Sequence, residues 1–330
     1  MVKFKNNKWT AVDKKGWDPV YKKFLLKCLN SFNQAFNRAK EVSEFEFIFS
    51  LLNAKRETGP GWNSWESTEE AINSIINLHK KIRDFETNRH IFLWTYGHIV
   101  EASFPYELMA NLLSIANGER YNTNRFPDKQ KGKYLIPQCP SEKIVQLKEL
   151  AKKANLSNVV VRFTEVLDRE LRNAVFHSDY ALYNLEVRIL KGKGKIYSNE
   201  EVQTLINKSL AYLSAIETLV DFHKESYSSP KIVKVPSVFG NNKQAKVIIR
   251  KGEGLVGIKD CCTSEEIKKG GNTFRLGIFM SYELRMLDND CSLYVLPRNR
   301  IRIFNYWNSF LPGFIRTRTV KILQKTRWFS

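Results

Sequence analysis

The run Glu165 to Tyr180, EVLDRELRNAVFHSDY, concentrates the side chains of this chain best suited to chemistry. Val161, Val166, Leu167, Leu171, Ala174 and Val175 recur at spacings of three and four, which predicts a helix with one buried stripe. Asp168, Arg169, Arg172, Asn173 and His177 fall on its other side. Asp168 stands four residues before Arg172, and Asn173 four before His177, so each pair shares an edge of the helix. A guanidinium, an amide and an imidazole along one edge make a kit for handling a phosphodiester. Arginine holds two phosphate oxygens at once and keeps its charge at any working pH. Imidazole titrates where proton transfer near neutrality needs it. On this reading His177 moves protons, Arg172 binds phosphate and the charge developing on it, Asn173 positions phosphate or ribose, and Asp168 orients Arg172.

An arginine, four residues and a histidine, with an asparagine directly after the arginine, resembles the motif of the HEPN family, Arg-x(4–6)-His with a polar residue after the Arg. The similarity spans about Trp17 to Tyr227 as an order of elements, and its most specific part is Asp168 to Tyr180. The resemblance implies a helical bundle carrying the motif on a late helix. It also implies an endoribonuclease that needs neither metal nor cofactor and leaves 2′,3′-cyclic phosphate and 5′-hydroxyl ends. In the family two copies of the motif face each other across one groove, so a homodimer with a composite active site is expected. The spacing agrees, because five residues separate Arg172 from His177 by about 140° around an ideal helix. Either a second copy or an end to the helix near Phe176 brings the groups together.

One departure is visible. HEPN toxins that pair with a nucleotidyltransferase antitoxin place a tyrosine one residue beyond the motif histidine, whereas His177-Ser-Asp-Tyr180 has two between. Tyr180 therefore reads as a residue buried against the bundle. The large basic extension looks more like abortive-infection or antiviral members, in which a ribonuclease cuts cellular or phage RNA (tRNA or mRNA). A toxin or defence effector held in check by an antitoxin or regulatory partner is the resulting expectation. Two other readings stay open: a non-catalytic nucleic-acid-binding protein, and an adaptor built on a degenerate HEPN dimer.

Other histidines read as structural. Arg83 and His90 repeat the motif with six residues between, but Arg83 lies in the charged run Lys80-Lys81-Ile82-Arg83-Asp84. His90 and His98 sit in an aromatic helix and read as core or surface residues, and His79 and His223 as surface residues. Five cysteines, Cys28, Cys139, Cys261, Cys262 and Cys291, show no CxxC spacing, which argues against a zinc site and a disulfide framework.

The elements that must hold the motif form an α+β, multidomain chain. Residues 1–16 read as a basic, loose N-terminal arm. Residues 17–228 read as the helical domain with a small β-hairpin around Lys191, Lys193 and Lys195, whose lysines are candidates for RNA phosphate. Pro19 to about Ala54 is one helix broken near Ser43, Ser67 with Glu70 and Ser198 with Glu201 are capping boxes, and Pro105 marks a bend. Gly118 to Pro140 is a long polar connection. From Ser229 the composition turns β-like, giving a basic, β-rich domain over 229–330 with 19 basic against 7 acidic residues. Its tail from Arg298 interleaves Arg298, Arg300, Arg302, Arg316 and Arg318 with Phe304, Tyr306, Trp307, Phe310, Phe314 and Trp328, a composition suited to single-stranded RNA. The net charge of +19 favours a polyanionic partner. No apolar run approaches the roughly 20 residues of a membrane span, and the N-terminus lacks the apolar core of a signal peptide. A cytoplasmic protein without a membrane partner is expected.

Overall fold

The computed structural model describes residues 2–11, 17–53, 64–79, 81–191, 194–229, 231–237, 244–250 and 254–261. The fold is mixed α and β, mostly helical, with small antiparallel sheets. The described chain divides into two compact units, one running to Ser43 and from 64 to Leu219, the other from Glu44 to 53 and from Val220 to 261.

The first unit opens on a hairpin of β1 (Val2–Lys5) and β2 (Lys8–Ala11), turned by Asn6 and Asn7 at positive φ. The expected loose arm is thus a strand pair. Its cause is Trp9, which is buried and whose backbone N–H donates to Asn30 Oδ1 at 2.9 Å. Asn30 lies on α1 (Pro19–Val42), which starts with Pro19 at its first position and Asp18 accepting from the Tyr21 N–H. The helix ends at Ser43, where a break was expected, and α2 (Glu44–Leu51) begins the second unit.

Next, α3 runs over Ser64–His79. Ser67 and Glu70 therefore lie inside it and do not cap it. Trp65 is buried against Phe104, ring centres 4.6 Å apart, and this contact draws the helix start upstream. Then come α4 (Phe85–Glu101) and α5 (Ser103–Ala116). The chain breaks at Ala102 rather than bending at Pro105. A proline in the first turn of a helix loses no hydrogen bond, so a new helix starts just ahead of it.

The long polar connection carries a hairpin, β3 (Lys129–Lys131) and β4 (Tyr134–Ile136). Its base is pinned where Asn111 Oδ1 accepts from Asn122 N–H and Arg125 Nε–H, both at 2.9 Å. After α6 (Pro140–Lys153) the expected single motif helix is two, α7 (Ser157–Val166) and α8 (Arg169–His177). A three-stranded sheet follows, β5 (Tyr180–Tyr183), β6 (Glu186–Ile189) and β7 (Ile196–Ser198), in the order β5-β6-β7. The Ser198–Glu201 capping box does open α9 (Asn199–Glu225): Glu201 accepts from the Ser198 N–H at 2.8 Å and Ser198 Oγ from the Glu201 N–H at 3.2 Å.

The core of this unit is an aromatic hub. Phe163 of α7 lies 5.5 Å from Phe32 of α1, 5.3 Å from Tyr106 of α5 and 5.2 Å from Tyr212 of α9, ring centre to ring centre. Burial pushes the phenols of Tyr96, Tyr106 and Tyr212 up. Tyr197 is raised to about 12, by burial first, with Lys195 opposing and Asp168 adding. Unfolded phenols release their protons near pH 10. Above that pH the folded chain binds more protons than the unfolded one, so stability falls as pH rises from about 10 through 12. Denaturant midpoints at successive pH values should decline in that window; midpoints that stay level while tyrosinate absorbance grows would contradict it.

In the second unit β8 (Ile232–Lys234), β9 (Gln244–Arg250) and β10 (Gly254–Cys261) form an antiparallel sheet in the order β10-β9-β8. The β-like runs of the sequence at 231–235, 246–249 and 254–258 match these strands; its further runs at 274–280, 292–295 and 301–306 lie outside the described residues. Gly254 has φ +73°, and a Cβ there would come within 2.1 Å of the Lys224 carbonyl oxygen, so backbone approaches backbone only through glycine. Glu44 accepts from the Tyr227 hydroxyl at 3.0 Å and from Lys231 Nζ at 2.7 Å. His223, expected at the surface, is buried edge-on to Phe47 and Phe222, because the apolar face of α9 continues through its last turns.

Candidate active site

The site is built where α4 supports α8. The two residues between α7 and α8, Leu167 and Asp168, interrupt the helical hydrogen bonding, and the buried Tyr96 of α4 repairs it. Its hydroxyl donates to the Val166 carbonyl at 3.0 Å and accepts from the Asp168 N–H at 2.8 Å. Asp168 is the N-cap of α8. Its Oδ1 accepts from the Leu171 N–H and from the Tyr197 hydroxyl, each at 2.9 Å, and its Oδ2 from Lys195 Nζ at 3.1 Å. Its carboxylate is therefore spent on capping and on β7, and the expected orientation of Arg172 by Asp168 is corrected. The break between α7 and α8 turns the acid toward the helix start and away from the arginine.

Glu101 does that work instead. Arg172 donates through Nε and Nη2 to Glu101 Oε1, through Nη1 to Asn173 Oδ1 at 2.7 Å, and its guanidinium lies 5.4 Å from the Phe176 ring centre. Glu101 is the last residue of α4, where a carboxylate faces the negative end of the helix dipole; the guanidinium offsets that repulsion. Gly97, one turn earlier, lets α8 come close: a Cβ there would stand 3.0 Å from Phe176. His98 meets the same ring edge-on, 6.0 Å between centres. Sequence reasoning alone assigns no role at the site to Glu101, Phe176 or His98. The one available signal was the stripe His90, Trp94, His98, Glu101 at spacings of four, four and three in an otherwise largely apolar stretch of sequence.

His177 is the last residue of α8. It is exposed and, among the described residues, has no side-chain hydrogen bond. Ser178, at φ +55°, turns the chain into β5. The helix runs one residue beyond Phe176, so Arg172 and His177 both stay within it, about 140° apart around its axis, and a helix end does not bring them together. The structure brings Arg172, Asn173 and Phe176 together and leaves His177 open to solvent beside them.

Tyr180 is half-buried, and its hydroxyl lies 2.8 Å from His90 Nδ1. That bond also disposes of the second motif match, since Arg83 precedes α4 and His90 is occupied with Tyr180. Arg89, buried on α4, donates to the carbonyls of Asn184 and Glu186 at 2.6 Å and so fixes the β5–β6 turn. Among the lysines expected to meet phosphate, Lys191 pairs with Asp179 at 2.6 Å and Lys195 with Asp168 and Glu170. Both face their own hairpin and helix as ion pairs. Lys193, Arg298, Arg300, Arg302, Arg316 and Arg318 lie outside the described residues. Among the described residues no group of three His, Cys, Asp or Glu side chains is placed to hold a metal ion, and no helix is long and apolar enough to cross a membrane.

No family model, curated protein or solved structure matches the chain. The functional reading rests on its own residues.

Proposed function

We propose that this protein is a metal-independent endoribonuclease of HEPN type. The observation that carries the reading is a fixed guanidinium, Arg172, and an exposed imidazole, His177, on one short helix of a chain with net charge +19. His177 takes the proton from the ribose 2′-hydroxyl as its oxygen attacks phosphorus. Arg172 stabilises the charge gathered on the phosphorane oxygens, and Asn173 aligns phosphate or ribose. The bond from phosphorus to the 5′-oxygen then breaks, the leaving oxygen takes up a proton, and a 2′,3′-cyclic phosphate and a 5′-hydroxyl remain. A homodimer supplies a second imidazole across the groove for that protonation. The remaining parts of the proposal are an RNA-gripping, β-rich C-terminal domain, a cytoplasmic toxin or defence role, and a regulatory partner.

One observation favours a second reading. Glu101 already neutralises Arg172, as in a structural ion pair, and under that reading the chain binds RNA without cutting it. Glu101→Gln separates the two. Catalysis by Arg172 predicts that cleavage falls about 10- to 100-fold as the guanidinium loses its alignment, with RNA affinity unchanged or higher. The test incubates wild type, Glu101→Gln and His177→Ala with total RNA in EDTA and follows cleavage beside a gel shift. Salt-sensitive binding by all three with no cutting by any favours the binder.

A further inference from the structure

A second basic feature lies on α1 and α7. Lys23, Leu26, Lys27, Asn30 and Ser31 of α1 and Arg162 of α7 line an open groove of about 440 Å³. Lys23, Lys27 and Asn30 stand at intervals of four and three, so one stripe of α1 forms its wall. Both lysines are exposed and, among the described residues, neither has a carboxylate within ion-pair distance. Cations at Lys191 and Lys195, by contrast, are already paired. Arg162 is mostly buried. Its Nη1 donates to Glu165, while its Nε–H is buried without a hydrogen-bond partner among the described residues. The guanidinium, on a side chain 15% exposed, stands beside the groove as a third positive charge. Asn30 is the fixed part of the wall. Its amide donates to the carbonyls of Leu26 and Trp9, and its Oδ1 accepts from the Trp9 N–H.

We propose that this groove is a phosphate subsite that grips the backbone of single-stranded RNA on helices other than α8. The two lysines neutralise the phosphodiester, and the Arg162 guanidinium adds its charge at the groove wall. The inference rests on RNA being the partner and does not need the chain to cut it. Two exposed lysines with no carboxylate within ion-pair distance among the described residues, set beside a guanidinium, match the chemistry of a phosphate and no apolar ligand.

The test measures binding of a labelled oligouridylate to the full chain carrying His177→Ala, which keeps the probe intact, over a range of salt concentrations. Lys23→Ala/Lys27→Ala is compared with Lys148→Ala/Lys152→Ala on α6, which removes the same charge from an exposed face elsewhere. Alanine favours helix at all four positions, so folding is preserved. The groove variant should lower the slope of log K against log salt by about 0.7 for each phosphate that is no longer neutralised, with weaker binding at low salt. The α6 variant should keep the parent slope. Equal slopes in all three proteins, equal losses in both variants, or no RNA binding by the parent would each overturn the subsite. Cleavage by the chain with His177 intact is scored separately. A reduced slope in the groove variant with no cleavage by that chain leaves the subsite standing and removes the ribonuclease reading. Cleavage with an unchanged slope does the reverse.

Discussion

On the proposed ribonuclease mechanism, His177→Ala should lower RNA cleavage by about 100- to 10,000-fold, the range that a positioned proton-transfer group contributes. The substitution removes an exposed side chain with no hydrogen bond among the described residues, so stability should move by no more than about 0.5 kcal/mol. Arg172→Ala should reduce cleavage by about 100- to 1,000-fold, as expected when a donor to the developing charge is deleted. It also strands Glu101 at the negative end of α4 and therefore lowers the melting temperature. Arg172→Lys recovers the charge but not the fork that reaches Glu101 and Asn173 together, so it restores part of the stability and little of the activity. Single-turnover rates on one RNA substrate, with melting curves of the same preparations, check each claim. Cleavage by His177→Ala at the wild-type rate would sink the assignment.

The second large effect falls on the core. Phe163→Ala should cost about 3–5 kcal/mol. Phe163 is 1% exposed and packs against aromatic rings from α1, α5 and α9, none of which can collapse into the space without leaving its own helix. It also sits one turn before Val166, whose carbonyl receives the Tyr96 hydroxyl. Loosening α7 therefore reaches the start of the motif helix as well as the hub. A urea midpoint close to wild type would show that the hub is not the centre of this unit's stability. Phe163→Leu, which refills part of the volume, should recover more than half of the loss.

Local chemistry in the sequence was legible where its partners are near in the chain. The capping box at Ser198 and Glu201, the break at Ser43 and the three strands after Ser229 each depend on neighbours a few residues away. The division of the motif helix was not legible, because the apolar spacing from Val161 to Val175 continues in step across Leu167 and Asp168. What ends α7 and starts α8 is a hydroxyl 72 residues distant in sequence, at Tyr96. The same holds for Arg172, whose carboxylate partner lies 71 residues away at Glu101. Asp168 four residues before Arg172 is a good pair on an uninterrupted helix, and it fails once the acid becomes the cap. The N-terminal hairpin escaped for a related reason: nothing in MVKFKNNKWT reports that Trp9 finds a buried place beside Asn30.

The most direct measurement of the central claim maps the ends of RNA cut by the wild-type chain in EDTA. Attack by the 2′-hydroxyl without a metal gives new 2′,3′-cyclic phosphate and 5′-hydroxyl ends, expected at an undiminished rate with the chelator and absent when the ribose before the cut lacks its 2′-hydroxyl. Ends bearing 5′-phosphate and 3′-hydroxyl, or cutting that stops in EDTA, would contradict it.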